Sequence, residues 1–133
     1  RDVLALAADP GIDVHAVSHI TGGGIAANLA RVLPAGSTAV VDRGSWTPQP
    51  IFDLIAALGS VPTPEMERTF NMGLGMVAVV SEESADAAVA LLTERSVPAW
   101  ICGQVRATAA GEISDAPAKG GSGGVVLMQG QYV

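Results

Sequence analysis

Three consecutive glycines, Gly22, Gly23 and Gly24, separate a β-branched run from a helix-forming run in the stretch HITGGGIAANLARVLP. Glycine costs about 1 kcal/mol relative to alanine inside a helix, so three in succession indicate a specific requirement. The first turn of a helix has unpaired N–H groups and a partial positive charge, and glycine leaves them accessible to an anion. The pattern predicts either a phosphate-binding turn, with Thr21 as an added hydroxyl donor, or a turn that packs strand closely against helix.

Two common nucleotide-binding motifs do not fit these glycines. A Walker motif ends in Gly-Lys-Ser or Gly-Lys-Thr, whereas the only lysine of the chain, Lys119, lies far along the sequence. A dinucleotide fingerprint has a different glycine spacing, and Asp42, about twenty positions further on, does not establish one by itself. The local pattern therefore supports a phosphate site and a packing turn equally.

Two histidines, His15 and His19, are four residues apart, which places both on one side of a helix or strand. Such a pair would suit a metal ion, but Ala16 stands where a zinc protease motif has glutamate, and no cysteine cluster lies nearby. We therefore predict no metal site and a structural role for His15. His19 precedes the glycines, and we predict that it donates a hydrogen bond to a phosphate or a substrate carbonyl.

The remaining reactive residue types have simpler interpretations. Cys102 has no histidine partner in its own stretch, and Ser122 lies in GGSGG without the strand-to-helix setting of a nucleophile elbow, so both are predicted to be structural. The stretch FNMGLGM, which contains Asn71 and Gly73, places two glycines at the entrance of an apolar strand. It predicts either a bulge with close packing or the wall of a binding cleft.

Composition limits the class of protein. The 133 residues, 49% of them hydrophobic, suit one domain with an apolar core. A net charge of -6, with seven scattered Lys and Arg residues, gives no basic stripe for nucleic acid or anionic lipid. No apolar run approaches the roughly 20 residues of a membrane span. A single cysteine fits a reducing compartment, and the cytoplasm is expected. The chain starts at Arg1 within a helical pattern, so we expect an upstream region.

Hydrophobic periodicity and turn residues predict alternating helices and strands. Strands are predicted at 14–20, 37–42, 75–80, 98–108 and 123–130, and helices at 1–8, 25–33, 50–59, 63–70 and 84–96. Asp2 and Ser84 are the expected caps of the first and last helix. The Gly-rich segment AAGEISDAPAKGGSGG is predicted to be an extended hairpin tip. The order predicts one α+β domain over residues 1–133, an α/β sandwich with helices packed on a mixed β-sheet.

Several motifs in order and spacing resemble one enzyme family. They are HITGGG with Asn28, RVLP at 31–34, DRGSW at 42–46, RTFNMGLGMVAVV at 68–80 and GQV at 103–105. Together they resemble phosphoribosylaminoimidazole synthetase, also called phosphoribosylformylglycinamidine cyclo-ligase. The resemblance covers nearly the whole chain and concerns the C-terminal domain of that family only. It implies that an N-terminal ATP-binding domain lies outside this chain.

The resemblance implies a reaction of de novo purine biosynthesis. In that family ATP phosphorylates the formyl amide oxygen of formylglycinamidine ribonucleotide, and an internal nitrogen attacks the activated carbon. The imidazole ring closes, and aminoimidazole ribonucleotide, ADP and phosphate are released. Mg²⁺ screens the charge of ATP. The resemblance further implies a homodimer, an active site in the cleft between the domains, and ATP and metal ligands mainly on the N-terminal domain.

The resemblance assigns roles to individual residues. His19, Thr21, Gly22, Gly23 and Gly24 carry the glycine motif and are expected to contact anionic groups of the substrate or nucleotide. Asn71 and Gly73 carry the second motif and are expected to line the cleft. Arg31, about two turns into the helix, is expected to make a structural pair. The chain departs from the family pattern at Ala27 and Ala30, where an acidic residue and a proline are usual, and neither change removes an expected donor.

Other functions remain open from the sequence. Formylglycinamidine synthetase, selenophosphate synthetase and thiamine phosphate kinase share the two-domain architecture and use ATP, although RVLP followed by DRGSW disfavours them. A non-catalytic binding or oligomerisation module would use the glycines for packing alone. The chain is also expected to be inactive when separated from the N-terminal domain.

Overall fold

The computed structural model describes residues 1–133 and contains five helices and five strands. The helices are α1 (Asp2–Ala8), α2 (Gly24–Ala30), α3 (Pro50–Gly59), α4 (Thr63–Thr69) and α5 (Ala85–Glu94). The strands are β1 (Val14–His19), β2 (Ser37–Asp42), β3 (Met76–Val80), β4 (Gly103–Ala107) and β5 (Val125–Gln129). Short 3-10 turns cover Arg43–Ser45 and Glu82–Ser84. No helix combines the length and the apolar character that crossing a membrane requires.

The strands form two small sheets. In the three-stranded sheet, β2 lies in the centre, antiparallel to β4 and parallel to β5. Ala39 of β2 is opposite Val105 on one side and Val126 on the other. Strands β1 and β3 form the two-stranded sheet. The predicted α+β class with a mixed sheet is confirmed, although the strands divide between two sheets.

The chain forms two compact units. The first comprises residues 1–17 and 78–101, and the second comprises residues 18–77 and 102–133. The first unit has a core of Leu6, Ile12 and Ala88, against which Val80 and Leu91 also pack. Burial of such side chains contributes roughly 1.5–3 kcal/mol each for the larger ones. The periodic apolar residues of α1 and α5 therefore face one another.

The second unit contains the glycines and the three-stranded sheet. Its buried apolar side chains come from α2, the sheet, α4 and the turns between them: Ile25, Leu29, Leu33, Ala39, Val41, Trp46, Met66, Met72, Leu74 and Val126. Helix α2 contacts both α4 and β5. Only one residue of α2, Ala26, is not buried, so this short helix lies inside the unit.

Two predicted elements are longer than the observed ones, and one predicted connection is wrong. Helix α2 ends at Ala30 rather than at residue 33, because the chain continues in turns in which the Leu33 N–H donates to the Ala30 carbonyl. The predicted strand 98–108 is a strand only at Gly103–Ala107. The Gly-rich segment is not a hairpin tip, because β2 lies between β4 and β5. An apolar run does not specify where strand pairing begins, and the composition of a loop does not specify which strands pair.

The two expected helix caps also differ from the prediction. Arg1 occupies the N-cap of α1, and Asp2 lies in its first turn. Ser84 occupies the N-cap of α5 but makes no capping hydrogen bond with its side chain. Its buried hydroxyl instead accepts hydrogen bonds from the Asp13 N–H (3.0 Å) and the Ser81 hydroxyl (2.9 Å). Ser84 therefore joins two segments that are distant in sequence.

Replacing Ser84 with alanine is expected to lower the free energy of unfolding by about 1 kcal/mol, because the half-buried Asp13 N–H loses its acceptor. Chemical denaturation followed by circular dichroism measures the change. The matched control is Ser122→Ala, since Ser122 is exposed and makes no side-chain hydrogen bond. Equal stability of the two variants would contradict a structural role for the Ser84 hydroxyl.

Candidate functional site

The three glycines form a tight turn between β1 and α2. We define the glycine turn as residues 21–24. The Gly24 N–H donates to the Thr21 carbonyl (3.1 Å), which closes the turn. Gly23 and Gly24 have φ values of +102° and +71°, which side-chain-bearing residues rarely adopt. The backbone conformation therefore requires glycine at the last two positions.

Gly24 has a packing role. A Cβ atom at this position would lie 1.6 Å from the Glu67 carbonyl oxygen of α4, so the two backbones touch where a side chain would stand. A Cβ atom at Gly22 would have no neighbour within 4 Å, and one at Gly23 would meet its nearest neighbours at ordinary contact distance. The packing interpretation thus explains Gly24, whereas only Gly22 has open space where a side chain would stand.

Asn28 of α2 holds the glycine turn from inside. Its side chain is fully buried, and the two hydrogens of Nδ2 are shared among the carbonyl oxygens of Thr21 (3.2 Å), Gly22 (3.4 Å) and Gly24 (2.8 Å). The Thr21 hydroxyl donates to Asn28 Oδ1 (3.3 Å), and the Ser18 hydroxyl donates to the Asn28 carbonyl (2.8 Å). The hydroxyl proton of Thr21, expected to face an anion, points to Asn28 instead.

Lys119 lies against the outer side of the glycine turn. Its ammonium group donates to the Gly22 carbonyl (3.0 Å) and lies 3.4 Å from the Thr21 hydroxyl oxygen. The Lys119 N–H donates to the Ala27 carbonyl (3.0 Å), which fixes this part of the Gly-rich segment on α2. The segment thus brings a cation to the turn, although the two are far apart in sequence. No Walker motif is formed, since the lysine comes from another segment.

The second predicted motif lies next to the glycine turn. The Ile20 N–H donates to the Gly75 carbonyl (2.9 Å), which joins the two segments. Asn71 Oδ1 accepts a hydrogen bond from the Gly73 N–H (3.0 Å), so this side chain stabilises its own turn. Gly73 has a φ of +92°, and a Cβ atom there would lie 2.6 Å from Gln49 Oε1. Both motifs are therefore tight turns in the same unit, each with glycine at a positive φ.

The histidines differ in their surroundings. His19 ends β1 with an exposed imidazole that makes no side-chain hydrogen bond. His15 Nε2 lies 3.1 Å from Asp13 Oδ2, in an exposed pair. No group of three His, Cys, Asp or Glu side chains lies close enough together to hold a metal ion. Burial raises the pKa of the Cys102 thiol, which makes this residue a weak nucleophile.

A cavity of about 230 Å³ opens beside the glycine turn. Its walls combine one glycine of the turn with apolar and charged side chains: Gly23, Ile25, Ala26, Arg43, Pro64, Glu67, Arg68, Asp115, Ala116 and Met128. Its charged groups already have protein partners. Arg68 pairs with Glu65 (2.7 Å), and Asp115 accepts the Met128 N–H (2.5 Å). The charged groups that line the cavity are therefore all held by other groups of the protein.

Arg43, Glu67 and Tyr132 form one network in the wall of this cavity. Arg43 donates to both carboxylate oxygens of Glu67 (2.6 and 2.9 Å) and to the Met128 carbonyl (2.6 Å). The Tyr132 hydroxyl donates to Glu67 Oε1 (2.8 Å). Burial alone would raise the pKa of Glu67, but the hydrogen bonds from Arg43 and Tyr132 lower it overall. Burial and the Glu67 carboxylate raise the pKa of Tyr132.

Trp46 connects this network to the second glycine motif. Its indole N–H donates to the Met72 carbonyl (2.9 Å), and its ring meets that of Tyr132 edge to face, with centroids 5.2 Å apart. The segment DRGSW thus supplies both Arg43 and Trp46 to the packing around the site. Its acidic member, Asp42, accepts a hydrogen bond from the Gly44 N–H (2.9 Å) and so caps the 3-10 turn.

The fold and the glycine turn define an α+β domain in which a mixed sheet and a buried helix present an open, glycine-lined turn. Residues 1–115 match the family described as AIR synthase related protein, C-terminal domain. The chain therefore belongs to this family. The match ends before Lys119 and β5, so the cation at the glycine turn lies outside the matched residues.

Curated proteins agree with this assignment. The chain is 52% identical over 90% of its length to a Streptomyces fradiae protein named "Putative phosphoribosylformylglycinamidine cyclo-ligase". It is 48% identical over 84% of its length to the phosphoribosylformylglycinamidine cyclo-ligase of Symbiobacterium thermophilum. It is 50% identical over 79% of its length to the phosphoribosylformylglycinamidine cyclo-ligase of an Anaeromyxobacter species. The chain spans 62%, 31% and 30% of the lengths of these relatives.

Proposed function

We propose that residues 1–133 form the C-terminal domain of a phosphoribosylformylglycinamidine cyclo-ligase. The observation that carries this proposal is the 48–52% identity to proteins of that name over most of the chain. The complete enzyme converts formylglycinamidine ribonucleotide to aminoimidazole ribonucleotide and releases ADP and phosphate. It acts as a cytoplasmic homodimer, with an N-terminal domain that binds ATP. This chain supplies one side of the cleft and is inactive alone.

The glycine turn is the part of this domain that suits a phosphate group. Gly22 faces open space, and the Lys119 ammonium group donates to the Gly22 carbonyl. The exposed His19 imidazole precedes it by two residues and has no protein partner. Both the ribonucleotide substrate and ATP carry phosphate, and this shared anionic group is what the turn would bind. Asn71 and Gly73 precede Gly75, whose carbonyl accepts the Ile20 N–H next to the turn, and they are proposed to line the cleft as well.

ATP and Mg²⁺ are bound by different kinds of protein group. The open turn, the lysine and the free imidazole fit an anionic phosphate. No group of three His, Cys, Asp or Glu side chains lies together in the chain. The ligands of Mg²⁺ are proposed to lie mainly on the N-terminal domain, as the family resemblance implies. When bound, ATP supplies the phosphoryl group that converts the amide oxygen into a leaving group. The contribution of this chain is to bind and orient a phosphate beside that reaction.

The test is ADP release that depends on formylglycinamidine ribonucleotide. We expect none from this chain alone, and activity when the N-terminal domain of the Symbiobacterium relative is added in trans. Absence of activity in a mixture of folded and associated domains would refute the cyclo-ligase assignment. The same mixture can then be assayed with the substrates of formylglycinamidine synthetase, selenophosphate synthetase and thiamine phosphate kinase. Absence of phosphate binding as well would favour an oligomerisation module.

Two histidine variants test the site within that assay. Replacing His19 with alanine is expected to raise the KM of a phosphate-bearing substrate about tenfold, the usual loss for a hydrogen bond to a charged group. His15→Ala is the matched control, because His15 is also exposed and lies on the same strand. A KM unchanged by His19→Ala, or changed equally by both substitutions, would remove His19 from the site.

A further inference from the structure

Helix α3 carries large apolar side chains on its solvent side. Asp53 is its only charged residue, and none of its ten residues is buried. Ile51, Leu54 and Leu58 are 52%, 52% and 81% exposed, and we define these three side chains as the outer ridge. A helix on the surface of a domain normally has polar residues on its outer face. The outer ridge of α3 is therefore an apolar helix face that the chain leaves uncovered.

The fold of the chain uses a different face of the same helix. Phe52, Ile55 and Ala56 are half-buried, and the Phe52 ring lies against that of Phe70, with centroids 5.9 Å apart. These three positions follow the i, i+3, i+4 spacing of one helix face. The outer ridge follows the same kind of spacing, at i, i+3 and i+7, on a neighbouring face. Packing within the chain thus explains the first set of apolar residues and gives no reason for the second.

The position of α3 relates the outer ridge to the proposed cleft. Gln49 immediately precedes the helix, and its Oε1 lies 2.6 Å from the point where a Cβ atom of Gly73 would stand. The Trp46 indole N–H, three residues earlier, donates to the Met72 carbonyl. Asn71 and Gly73 are the residues proposed to line the cleft. A domain that closes this cleft therefore has the start of α3 at its edge.

The relatives indicate which partner covers the outer ridge. The matched family is described as a C-terminal domain, and the chain spans only 31% of the Symbiobacterium relative, so most of that protein lies outside the match. A second copy of the chain fits less well. A ten-residue helix is about 15 Å long and 10 Å wide, which is small beside the roughly 800 Å² that each partner of a stable complex buries. A domain in the same polypeptide needs less area, because the linkage raises its effective concentration.

We infer that the outer ridge of α3 is the surface on which the N-terminal domain of the cyclo-ligase docks, through an apolar patch of that domain. This inference rests on the proposed function, which assigns such a domain to the polypeptide. Docking there removes three large aliphatic side chains from water, which drives association. It also holds the second domain beside Asn71 and Gly73. Because the ridge carries no charge, the affinity is expected to change little with salt.

The test is binding of the N-terminal domain of the Symbiobacterium relative to chains altered in α3. Replacing both Leu54 and Leu58 with glutamine removes most of the ridge and keeps a good helix former at each position. We expect the dissociation constant, measured by isothermal titration calorimetry, to rise at least about tenfold. Ile113→Gln is the matched control, because Ile113 is 82% exposed but lies outside α3. A double variant that binds as tightly as the unaltered chain overturns the inference.

Hydrogen exchange tests the same contact without a substitution. In a fusion of the N-terminal part of that relative to residues 1–133, the amides of residues 51–58 should exchange more slowly than in residues 1–133 alone. Unchanged exchange overturns the inference. So does sedimentation of an unaltered chain as a dimer that the double variant abolishes, because the partner is then a second copy. Associated domains that release no ADP would refute the proposed function and leave the docking surface in place.

Discussion

Replacing Gly24 with alanine is expected to lower the free energy of unfolding by about 3 kcal/mol. Two effects act together at this position. The new Cβ atom would lie 1.6 Å from the Glu67 carbonyl oxygen, which belongs to the backbone of α4 and cannot rotate away. The φ of +71° also disfavours any residue with a side chain. Relief of the overlap requires α2 and α4 to separate, which disrupts the core between them.

Gly22→Ala provides the control for this prediction within the same turn. The Cβ atom that alanine adds there has no neighbour within 4 Å, and we expect a change within about 0.5 kcal/mol. Guanidinium denaturation of both variants, followed by tryptophan fluorescence, measures the difference. Equal stability of the two variants would show that the turn does not pack against α4 as described. A large loss for Gly22→Ala alone would indicate that the open side of the turn is closed in solution.

The sequence identifies the glycine turn but does not separate its two possible roles. Local pattern supports packing and phosphate binding equally, because both require glycine between a strand and a helix. The structure divides the roles among the residues. Gly24 meets the Glu67 carbonyl from a distant segment, whereas Gly22 faces open space. Only the tertiary contact distinguishes them, and no local pattern encodes it.

Helices and strands with clear periodicity are predictable to within a few residues. The predicted helix 50–59 agrees with α3, and the predicted strand 37–42 agrees with β2. Proline and glycine mark both ends of α3, which explains the agreement. The prediction for 98–108 fails because an apolar run does not specify where pairing with β2 begins. The hairpin prediction fails because strand order depends on the whole sheet.

Two residues of the site, Asn28 and Lys119, receive no role in the sequence analysis. Asn28 stands out only through the family resemblance, although a polar residue between core positions of a helix is itself a signal of a buried hydrogen-bonding role. Lys119 is distant from the glycines in sequence, but the Gly-rich segment brings it to them by attaching to α2. A buried, hydrogen-bonding role of Asn28 can be inferred from its position between core residues of the helix. The role of Lys119 cannot, since it depends on a long irregular segment.

Replacing Arg43 with methionine is expected to lower the free energy of unfolding at pH 7 by about 2 kcal/mol. The side chains of Arg43 and Glu67 are only 19% and 16% exposed, so the Glu67 carboxylate would remain partly buried without its cation. Methionine fills much of the space of the arginine stem, which limits the loss of packing. Adding Glu67→Gln to this variant should restore part of the stability, because the neutral amide still accepts the Tyr132 hydroxyl proton.

The pH dependence distinguishes this electrostatic cause from a loss of packing. In the unaltered chain the pKa of Glu67 is below its ordinary value of 4.5, so its stabilising contribution is present above that pH and is lost as the pH falls further. In Arg43→Met, burial raises the Glu67 pKa, so protonation on acidification removes the unpaired charge and restores stability. The stability difference between the two proteins should therefore shrink from pH 7 to pH 4. If urea denaturation gives a stability difference that does not depend on pH, the effect comes from packing. The control is Arg68→Met, which removes an exposed ion pair and should change the free energy of unfolding little at either pH.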